Sequence, residues 1–323
     1  MEQRHHTLET NGITMHITEQ GEGPLVVLCH GFPELGYSWR HQLPALAEAG
    51  FHAVAPDQRG YGRTDRPDSI EDYDIFHLVG DIVGLVHALG EEGAVIVGHD
   101  WGSTVAQYCA LLRPDIFHTV ILLSVPFSER PWKSRRPTEG MKKLLGGQDL
   151  EFYMLYFQEP GKVERELEED VRRFILGSLY AASGDPPPEE RWRFLFPKGQ
   201  RFIDTSCVPE ALPAWLTEGD IDFFTGEFTK TGFRGGVNWY RNIDRNWEMT
   251  PFLSGAKIRQ PSLFIAGELD GVISFSRGVF DRMEASVPDL RGKVLIPGAG
   301  HWVQQEHPAE VNKLMIQFLK GLE

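Results

Sequence analysis

The chain has 323 residues, 41% of them hydrophobic and 24% charged, a composition that predicts a folded globular protein and excludes a disordered one. Lysine and arginine total 32 against 46 for aspartate and glutamate, so the formal net charge is −14. Because an acidic surface repels phosphate groups, we expect neither nucleic acid nor an anionic membrane surface as a partner.

The cysteines indicate whether a metal site is expected, and the apolar runs indicate the cellular compartment. Cys29, Cys109 and Cys207 are too few and too scattered to predict a metal site or a disulfide framework. The first residues lack the pattern of a signal peptide, and no apolar run reaches the roughly 18 residues of a membrane span. We therefore expect a cytoplasmic protein without a bound metal, and its oligomeric state stays open between monomer and homodimer.

Strands are predicted on both sides of the middle part of the chain. Residues 14–18 alternate in polarity and follow the hairpin-turn signal Asn11-Gly12. Continuous apolar runs, typical of strands buried on both faces of a parallel sheet, occupy residues 25–29, 51–55, 94–97, 120–123, 262–266 and 294–296. Apolar residues at helical spacing over 75–89 and 309–319 alternate with these runs. The alternation predicts an α/β fold with a mostly parallel central sheet and helices on both faces.

The middle of the chain has a different character. From residue 127 to about residue 247 it is charged, proline-rich and aromatic, and no comparable apolar run occurs. Residues 164–179 predict one charged helix whose charges form a solvated face. We interpret this part as a helical cap inserted between two halves of one sheet, with the core domain at residues 1–126 and 248–323 and the cap at residues 127–247.

A strand–turn–helix motif carries the sharpest functional signal. A buried strand run at 95–97 leads into Gly-His-Asp-Trp-Gly at 98–102 and then into a helix. Glycines around one central residue are typical of the nucleophile elbow, whose centre is usually serine. Here the centre is Asp100, which cannot act as a serine esterase does but can attack an electrophilic sp³ carbon and form a covalent ester. The alternative role for Asp100 is capping of the helix N-terminus.

An elbow nucleophile needs an acid and a base, which follow it in that chain order. Asp270 and His301 each follow a predicted strand, at the sheet edge where open α/β folds carry their sites. Asp270 would orient the imidazole and stabilise its charged form, and His301 would activate water against the ester. Glu268 is the alternative acid. We expect structural roles for His30 and His99.

The segment Cys-His-Gly-Phe-Pro-Glu at 29–34 leaves another predicted strand. In elbow folds a loop at this place donates one backbone N–H to the oxyanion hole, and the residue after the nucleophile donates the other. These donors would be Phe32 and Trp101, whose side chains would also line the substrate pocket. The alternative is an ordinary turn at a strand exit. We interpret the glycine-containing loop at 57–65 as structural.

These segments together resemble the epoxide hydrolases of the α/β-hydrolase fold. The resemblance covers residues 25–123, residues 262–307 and parts of the cap. EFYMLYFQEPG at 151–161 and GFRGGVNWYRN at 232–242 look like the two cap segments that carry the family's tyrosines. The resemblance implies an enzyme that needs no cofactor and hydrolyses a small-molecule epoxide to a vicinal diol.

The resemblance also assigns two cap tyrosines to this chain. The first maps to Tyr153, with Tyr156 as the rival on the same helix face, and the second maps to Tyr240. An epoxide oxygen leaves as a strongly basic alkoxide, so two protonated phenols can bind it and one can deliver a proton. Phe157 and Trp302 would complete the walls of an aromatic pocket.

Two enzyme families of the same fold and one non-enzymatic class are the alternatives. Haloalkane dehalogenases typically place a halide-binding asparagine after the His-Gly pair, where this chain has Phe32. Fluoroacetate dehalogenases resemble the His-Gly-Phe-Pro stretch but carry arginine after the nucleophile, where this chain has Trp101. Some hydrolase-fold proteins are ligand receptors, but the complete set of Asp100, Asp270 and His301 argues against a dead site.

Overall fold

Ten β-strands and fifteen α-helices form the regular structure of the computed structural model, which describes residues 2–322. The strands are Arg4–Thr10 (β1), Ile13–Gln20 (β2), Leu25–Cys29 (β3), His52–Pro56 (β4), Ala94–His99 (β5), Phe117–Leu123 (β6), Leu150–Phe152 (β7), Leu195–Pro197 (β8), Ser262–Gly267 (β9) and Leu290–Ile296 (β10). The helices are Gln42–Glu48 (α1), Ile75–Ala88 (α2), Trp101–Leu112 (α3), Pro137–Leu145 (α4), Tyr153–Tyr156 (α5), Lys162–Glu169 (α6), Val171–Ala181 (α7), Glu218–Thr231 (α8), Arg234–Arg241 (α9), Ile243–Met249 (α10), Gly271–Phe275 (α11), Arg277–Asp281 (α12), Met283–Ser286 (α13), Val303–Glu306 (α14) and Pro308–Lys320 (α15).

Eight strands form one sheet, in the order β1-β2-β4-β3-β5-β6-β9-β10. β2 pairs antiparallel with β1 and β4, and the remaining pairs are parallel. The predicted α/β fold with a mostly parallel sheet is therefore confirmed. The sequence does not predict β1, because this edge strand is exposed along most of its length and has no apolar run.

Apolar side chains cover both faces of the sheet, as the continuous apolar strands predict. Successive residues of a strand point to opposite faces, so Val26 and Val27 of β3 belong to two different clusters. Val27 packs in the cluster that includes Ile82 of α2, whereas Val26 packs in the cluster that includes Met315 of α15. Within residues 2–322, no helix combines the length and the apolar character needed to cross a membrane.

The segment between β6 and β9 contains helices α4–α10 and the antiparallel pair β7–β8. The sequence does not predict this pair, because strands of three residues are too short for a polarity pattern. The single helix predicted over 164–179 is two helices: Asp170 ends α6 and caps α7, where its carboxylate accepts the N–H of Arg173 at 2.9 Å. The cap boundaries at 127 and 247 stay a prediction.

The charges of α6 do not all face solvent, so the predicted solvated face is wrong in part. Glu164 is buried, and its Oε1 lies 2.6 Å from Nη1 of Arg241, which belongs to α9. The sequence could not reveal this pair, because its members are far apart in the chain and each has an ordinary charged-helix context. The pair joins α6 to α9 inside the segment that covers the sheet edge.

The order of the strands brings the candidate residues together. β3 and β5 are neighbours in the sheet, and β9 and β10 are neighbours on the other side of β6. These strands are parallel, so their carboxyl ends lie at the same edge. The loops that leave them carry Phe32, Asp100, Asp270 and His301.

Candidate active site

The turn between β5 and α3 holds Asp100 in a strained backbone conformation. Its φ of 52° and ψ of −120° are rare for a residue other than glycine. The turn is tight because α3 starts close to β3: a Cβ on Gly102 would lie 2.0 Å from the carbonyl oxygen of Cys29. The structure therefore contains the strand, sharp turn and helix that the sequence predicts, with Asp100 at the centre.

The carboxylate of Asp100 contacts the loop after β3 and does not cap α3. Its side chain makes no cap hydrogen bond to the helix, which removes the support for the alternative capping role. Oδ1 instead accepts the backbone N–H of Phe32 at 2.9 Å. This approach requires Gly31, since a Cβ there would lie 2.3 Å from the same oxygen. Trp101 begins α3, and the first N–H groups of a helix have no carbonyl partner within it.

His301 lies between two carboxylates. Its Nε2 is 3.6 Å from Oδ2 of Asp100, and its Nδ1 is 3.2 Å from both carboxylate oxygens of Asp270. Asp270 is buried and also accepts the N–H of Val272 at 2.8 Å, which fixes its orientation at the start of α11. Glu268 is exposed, so the structure gives the contact with the histidine to Asp270 and not to the alternative acid.

The two carboxylates control the charge of the imidazole. Burial by itself lowers the pKa of His301, but the charge of Asp270, the contacts with both carboxylates and the charge of Asp100 raise it well above its usual range. Charged carboxylates at Asp100 and Asp270 therefore favour the imidazolium form of His301. Removal of one charge would weaken this preference.

Tyr153 and Tyr240 lie together over the Asp100 carboxylate. Tyr153 begins α5 and Tyr240 lies in α9, and their ring centroids are 5.8 Å apart. Both side chains are buried and line the same cavity as Asp100. The hydroxyl of Tyr156 donates to the carboxylate of Glu166 instead, so Tyr153 rather than its rival faces the cavity.

Both cavity phenols keep their protons at neutral pH. Burial raises the pKa of Tyr153 well above its usual value, and the negative charge of Asp100 acts in the same direction. Burial likewise raises the pKa of Tyr240, with further contributions from Tyr153 and Asp100. Neutral phenols are hydrogen-bond donors, so the pair can bind an oxygen atom that develops negative charge beside Asp100.

The cavity above Asp100 measures about 600 Å³, including the space open to solvent, and most of its walls are aromatic. Besides the candidate catalytic residues, its lining comprises Phe32, Pro33, Phe157, Phe174, Ser178, Ala182, Trp192, Phe194, Phe202, Thr205, Ser206, Val272 and Trp302. The sequence-predicted walls Phe32, Phe157 and Trp302 are thus in the cavity. Several others come from α7 and from residues 192–206, where the sequence offers no pattern that distinguishes a pocket wall from a core residue.

The prediction that the side chain of Trp101 lines the pocket is wrong. Its ring packs edge-on against Tyr240 and Trp239, with centroid distances of 5.1 Å and 6.0 Å, and it is not part of the cavity lining. The physical reason is the position of α9, whose Tyr240 packs against this indole and itself lines the cavity. Trp101 thus supports one of the phenols.

A buried carboxylate that no sequence motif singles out forms hydrogen bonds that hold residues of the site in place. Oε2 of Glu34 lies 2.6 Å from Nδ1 of His99, whose Nε2 in turn lies 2.8 Å from the carbonyl oxygen of His301. Oε2 of Glu34 also accepts the N–H of Gly31 at 2.9 Å. Burial opposes the charge of Glu34, but the charge and hydrogen bond of His99 lower its pKa to about 2. These contacts agree with the structural role predicted for His99.

His30 has a comparable packing role. Its Nε2 accepts the backbone N–H of Gln58 at 3.0 Å, so its Nδ1 carries the proton and donates to the carbonyl oxygen of Gly31 at 2.9 Å. Both ring nitrogens are thus occupied within the loops. Among residues 2–322, no cluster of three or more histidine, cysteine, aspartate or glutamate side chains has an arrangement suited to a metal ion.

Comparisons with known proteins identify relatives of this chain. A family model described as alpha/beta hydrolase fold matches residues 24–149. Epoxide hydrolase A of Mycobacterium tuberculosis is 48% identical, over 98% of this chain and 97% of its own length. The structure of an epoxide hydrolase from an endophytic Streptomyces superposes with a TM-score of 0.95 at 48% identity, and covers 99% of this chain and 96% of that one. Epoxide hydrolase A from Mycobacterium thermoresistibile gives a TM-score of 0.93 at 49% identity, with 99% of both chains covered.

Proposed function

The chain belongs to the epoxide hydrolases of the α/β-hydrolase fold, and we propose that it hydrolyses its substrate through a covalent ester on Asp100. The observation that carries this proposal is one cavity lined by the carboxylate of Asp100, the phenols of Tyr153 and Tyr240, and His301. Asp270 supports the imidazole from its other side. The scheme needs no cofactor, because the nucleophile, the proton donors and the base are all side chains of this chain.

In the first step, a carboxylate oxygen of Asp100 attacks a ring carbon of the epoxide, and the ring carbon–oxygen bond breaks. Oδ2 suits this attack, because the N–H of Phe32 binds Oδ1. The departing oxygen is a basic alkoxide, so Tyr153 and Tyr240 bind it and one phenol transfers its proton. The product of this step is a hydroxyalkyl ester of Asp100.

In the second step, water hydrolyses the ester. Esterification removes the charge of Asp100, so the pKa of His301 falls. The imidazolium then gives its proton through solvent to the phenolate left by ring opening, and the neutral imidazole is available as a base. His301 takes a proton from water, and the hydroxide attacks the carbonyl carbon of the ester. The N–H groups of Phe32 and Trp101 stabilise the oxyanion. Collapse of the tetrahedral intermediate releases the vicinal diol and restores the carboxylate, and His301 keeps the proton taken from water, so the resting charge state is restored.

The aromatic lining of the cavity favours apolar substrates. Phe32, Phe157 and Trp302 present ring faces and edges rather than hydrogen-bond donors to the substrate body. We therefore propose aryl or alkyl epoxides, which enter between the core and the cap at residues 127–247. The relatives named above are all epoxide hydrolases, so the dehalogenase and receptor interpretations receive no support from them.

His301→Gln tests the covalent route. Without its base, the variant should accumulate the ester after addition of an aryl epoxide such as styrene oxide. Intact mass spectrometry should detect a mass increase of one substrate molecule, and peptide mapping should assign it to Asp100. The double variant Asp100→Asn/His301→Gln is the control and should show no increase. A normal rate of diol formation without any adduct would overturn the proposal.

A further inference from the structure

The two cap segments that carry the tyrosines are tied together by side chains that the proposed mechanism does not use. Arg241 directly follows Tyr240 in α9. Its Nε donates to the carbonyl oxygen of Phe157 at 3.1 Å, and its Nη2 donates to the carbonyl oxygen of Glu159 at 3.1 Å. The second tyrosine segment therefore holds the backbone that follows α5 at two points.

A second side chain makes the reverse connection. Nε2 of Gln158, in the first tyrosine segment, donates to the carbonyl oxygen of Tyr240 at 2.9 Å. The same nitrogen donates to the carbonyl oxygen of Met154, next to Tyr153, at 2.8 Å. Gln158 thus joins the residue beside one phenol to the backbone of the other. The two segments are bound to each other in both directions.

The guanidinium of Arg241 is itself fixed by buried partners. Its Nη1 donates to Oε1 of Glu164 at 2.6 Å and to Oδ1 of Asn238 at 2.8 Å. The side chains of Arg241 and Glu164 are only 4% and 8% exposed. A buried ion pair adds little net stability, because desolvation of both charges offsets their attraction. Its geometry, by contrast, is well defined, since the planar guanidinium donates in fixed directions.

We propose that Arg241 and Gln158 form a phenol clamp: they are positioning residues that set the spacing of Tyr153 and Tyr240 for ring opening. The proposal rests on the proposed function. α5 has only four residues, so its own hydrogen bonds hold Tyr153 weakly. Two phenols that bind one oxygen must keep their separation closely, because a displacement of about 1 Å can cost about 10²-fold in rate.

The first experiment separates ring opening from ester hydrolysis. Arg241→Lys keeps the charge but loses the planar guanidinium, whose N–H groups donate to two carbonyl oxygens. In single-turnover experiments with styrene oxide, ester formation measured by rapid quench and mass spectrometry should slow about 10- to 100-fold. The rate of ester hydrolysis, which depends on His301, should stay within about twofold. Arg173→Lys is the matched control, because Arg173 forms an exposed cap ion pair with Asp204, and its ester formation should be unchanged.

A second variant keeps the test valid if Arg241→Lys does not fold. Gln158→Met removes both backbone hydrogen bonds without changing charge, at a side chain that is only partly buried. It should slow ester formation in the same selective way. Equal slowing of both steps, or slowing of neither, would overturn the clamp.

Removal of the two phenols distinguishes a positioning role of the clamp from a general structural role. In a Tyr153→Phe/Tyr240→Phe background the clamp has nothing left to position, so Gln158→Met should slow ester formation no further. A full additional loss would overturn the clamp. Normal ester formation in Tyr153→Phe/Tyr240→Phe alone would instead contradict the proposed role of the phenols. If only that double variant is slow, while Arg241→Lys and Gln158→Met react normally, the proposed function stands and the clamp fails.

Discussion

Nε2 of His301 lies 3.6 Å from Oδ2 of Asp100, a separation longer than a hydrogen bond but short enough for strong coupling between two charges. The proposed nucleophile and the proposed base are therefore linked electrostatically before any substrate binds. A charged Asp100 helps to keep His301 protonated, and the ester of the proposed mechanism would remove that contribution. In the proposed mechanism the charge of the imidazole thus follows the state of Asp100.

This coupling predicts that Asp100→Asn lowers the pKa of His301. The substitution keeps the shape of the side chain and removes the negative charge that helps to raise the pKa in the native protein. The contribution of Asp270 remains, so the value should fall without reaching that of a buried, unpaired histidine. NMR titration of the imidazole, assigned by comparison with His301→Gln, measures the shift. An unchanged titration would mean that Asp100 does not control the base.

Loss of both cavity phenols should slow ring opening selectively. Tyr153→Phe/Tyr240→Phe removes the donors to the departing oxygen, and general-acid catalysis contributes about 10²–10⁴-fold. We expect a loss of ester formation in that range, measured in single turnover, while binding of an unreactive diol changes little. Tyr156→Phe is the control, since its hydroxyl contacts Glu166 outside the cavity, and it should react at nearly the native rate. A native rate in the double variant would show that another group activates the oxygen.

Some of this site can be predicted from sequence because its signals are local. The turn around Asp100 and the strands before Asp270 and His301 are visible in short stretches of chain, and the fold then brings them together. The wall position of Trp101 is predicted wrongly, because it depends on how the distant helix α9 packs Tyr240 against the indole.

The same limit applies to pairs between distant segments. The break of the predicted 164–179 helix at Asp170 has a local cause, a capping aspartate, and is recognisable in the sequence. The contact of Arg241 with Glu164 is not, since neither residue differs by itself from an ordinary surface charge. The role of Glu34 can be predicted only in part. Glu34 lies in the 29–34 segment, but some of the four groups that donate hydrogen bonds to it belong to α14.

The orienting role proposed for Asp270 can be tested against the nearby carboxylate of Glu268. Asp270→Asn keeps an oxygen for the N–H of Val272 but presents an amide N–H to Nδ1 of His301, which favours the wrong tautomer. In a serine protease triad the comparable change lowers kcat about 10⁴-fold. We expect ester hydrolysis to slow about 10²–10⁴-fold, so that the ester accumulates in mass spectra. Glu268→Gln, at an exposed carboxylate, should leave both steps within about twofold.

The buried Glu34 should make the stability of the protein depend on pH in the acidic range. Its pKa is about 2 in the fold and 4.5 in a free side chain, so the folded state binds the proton less readily than the unfolded state does. The resulting stability is present above 4.5 and is lost as the pH falls from 4.5 towards 2. By linkage it amounts to on the order of 3 kcal/mol.

Glu34→Gln tests this dependence. The variant offers one acceptor oxygen where the carboxylate has two, so the N–H of Gly31, His99, Gln304 and Gln305 cannot all keep their partner. Urea unfolding at about pH 6 should show the variant less stable by a few kcal/mol. At about pH 3 the difference should shrink, because the unfolded native chain binds a proton at Glu34 there while the folded chain does not, and glutamine does not titrate. Glu310→Gln, at an exposed position, controls for loss of one carboxylate. A difference that stays constant over this range would exclude a titrating Glu34 as its cause.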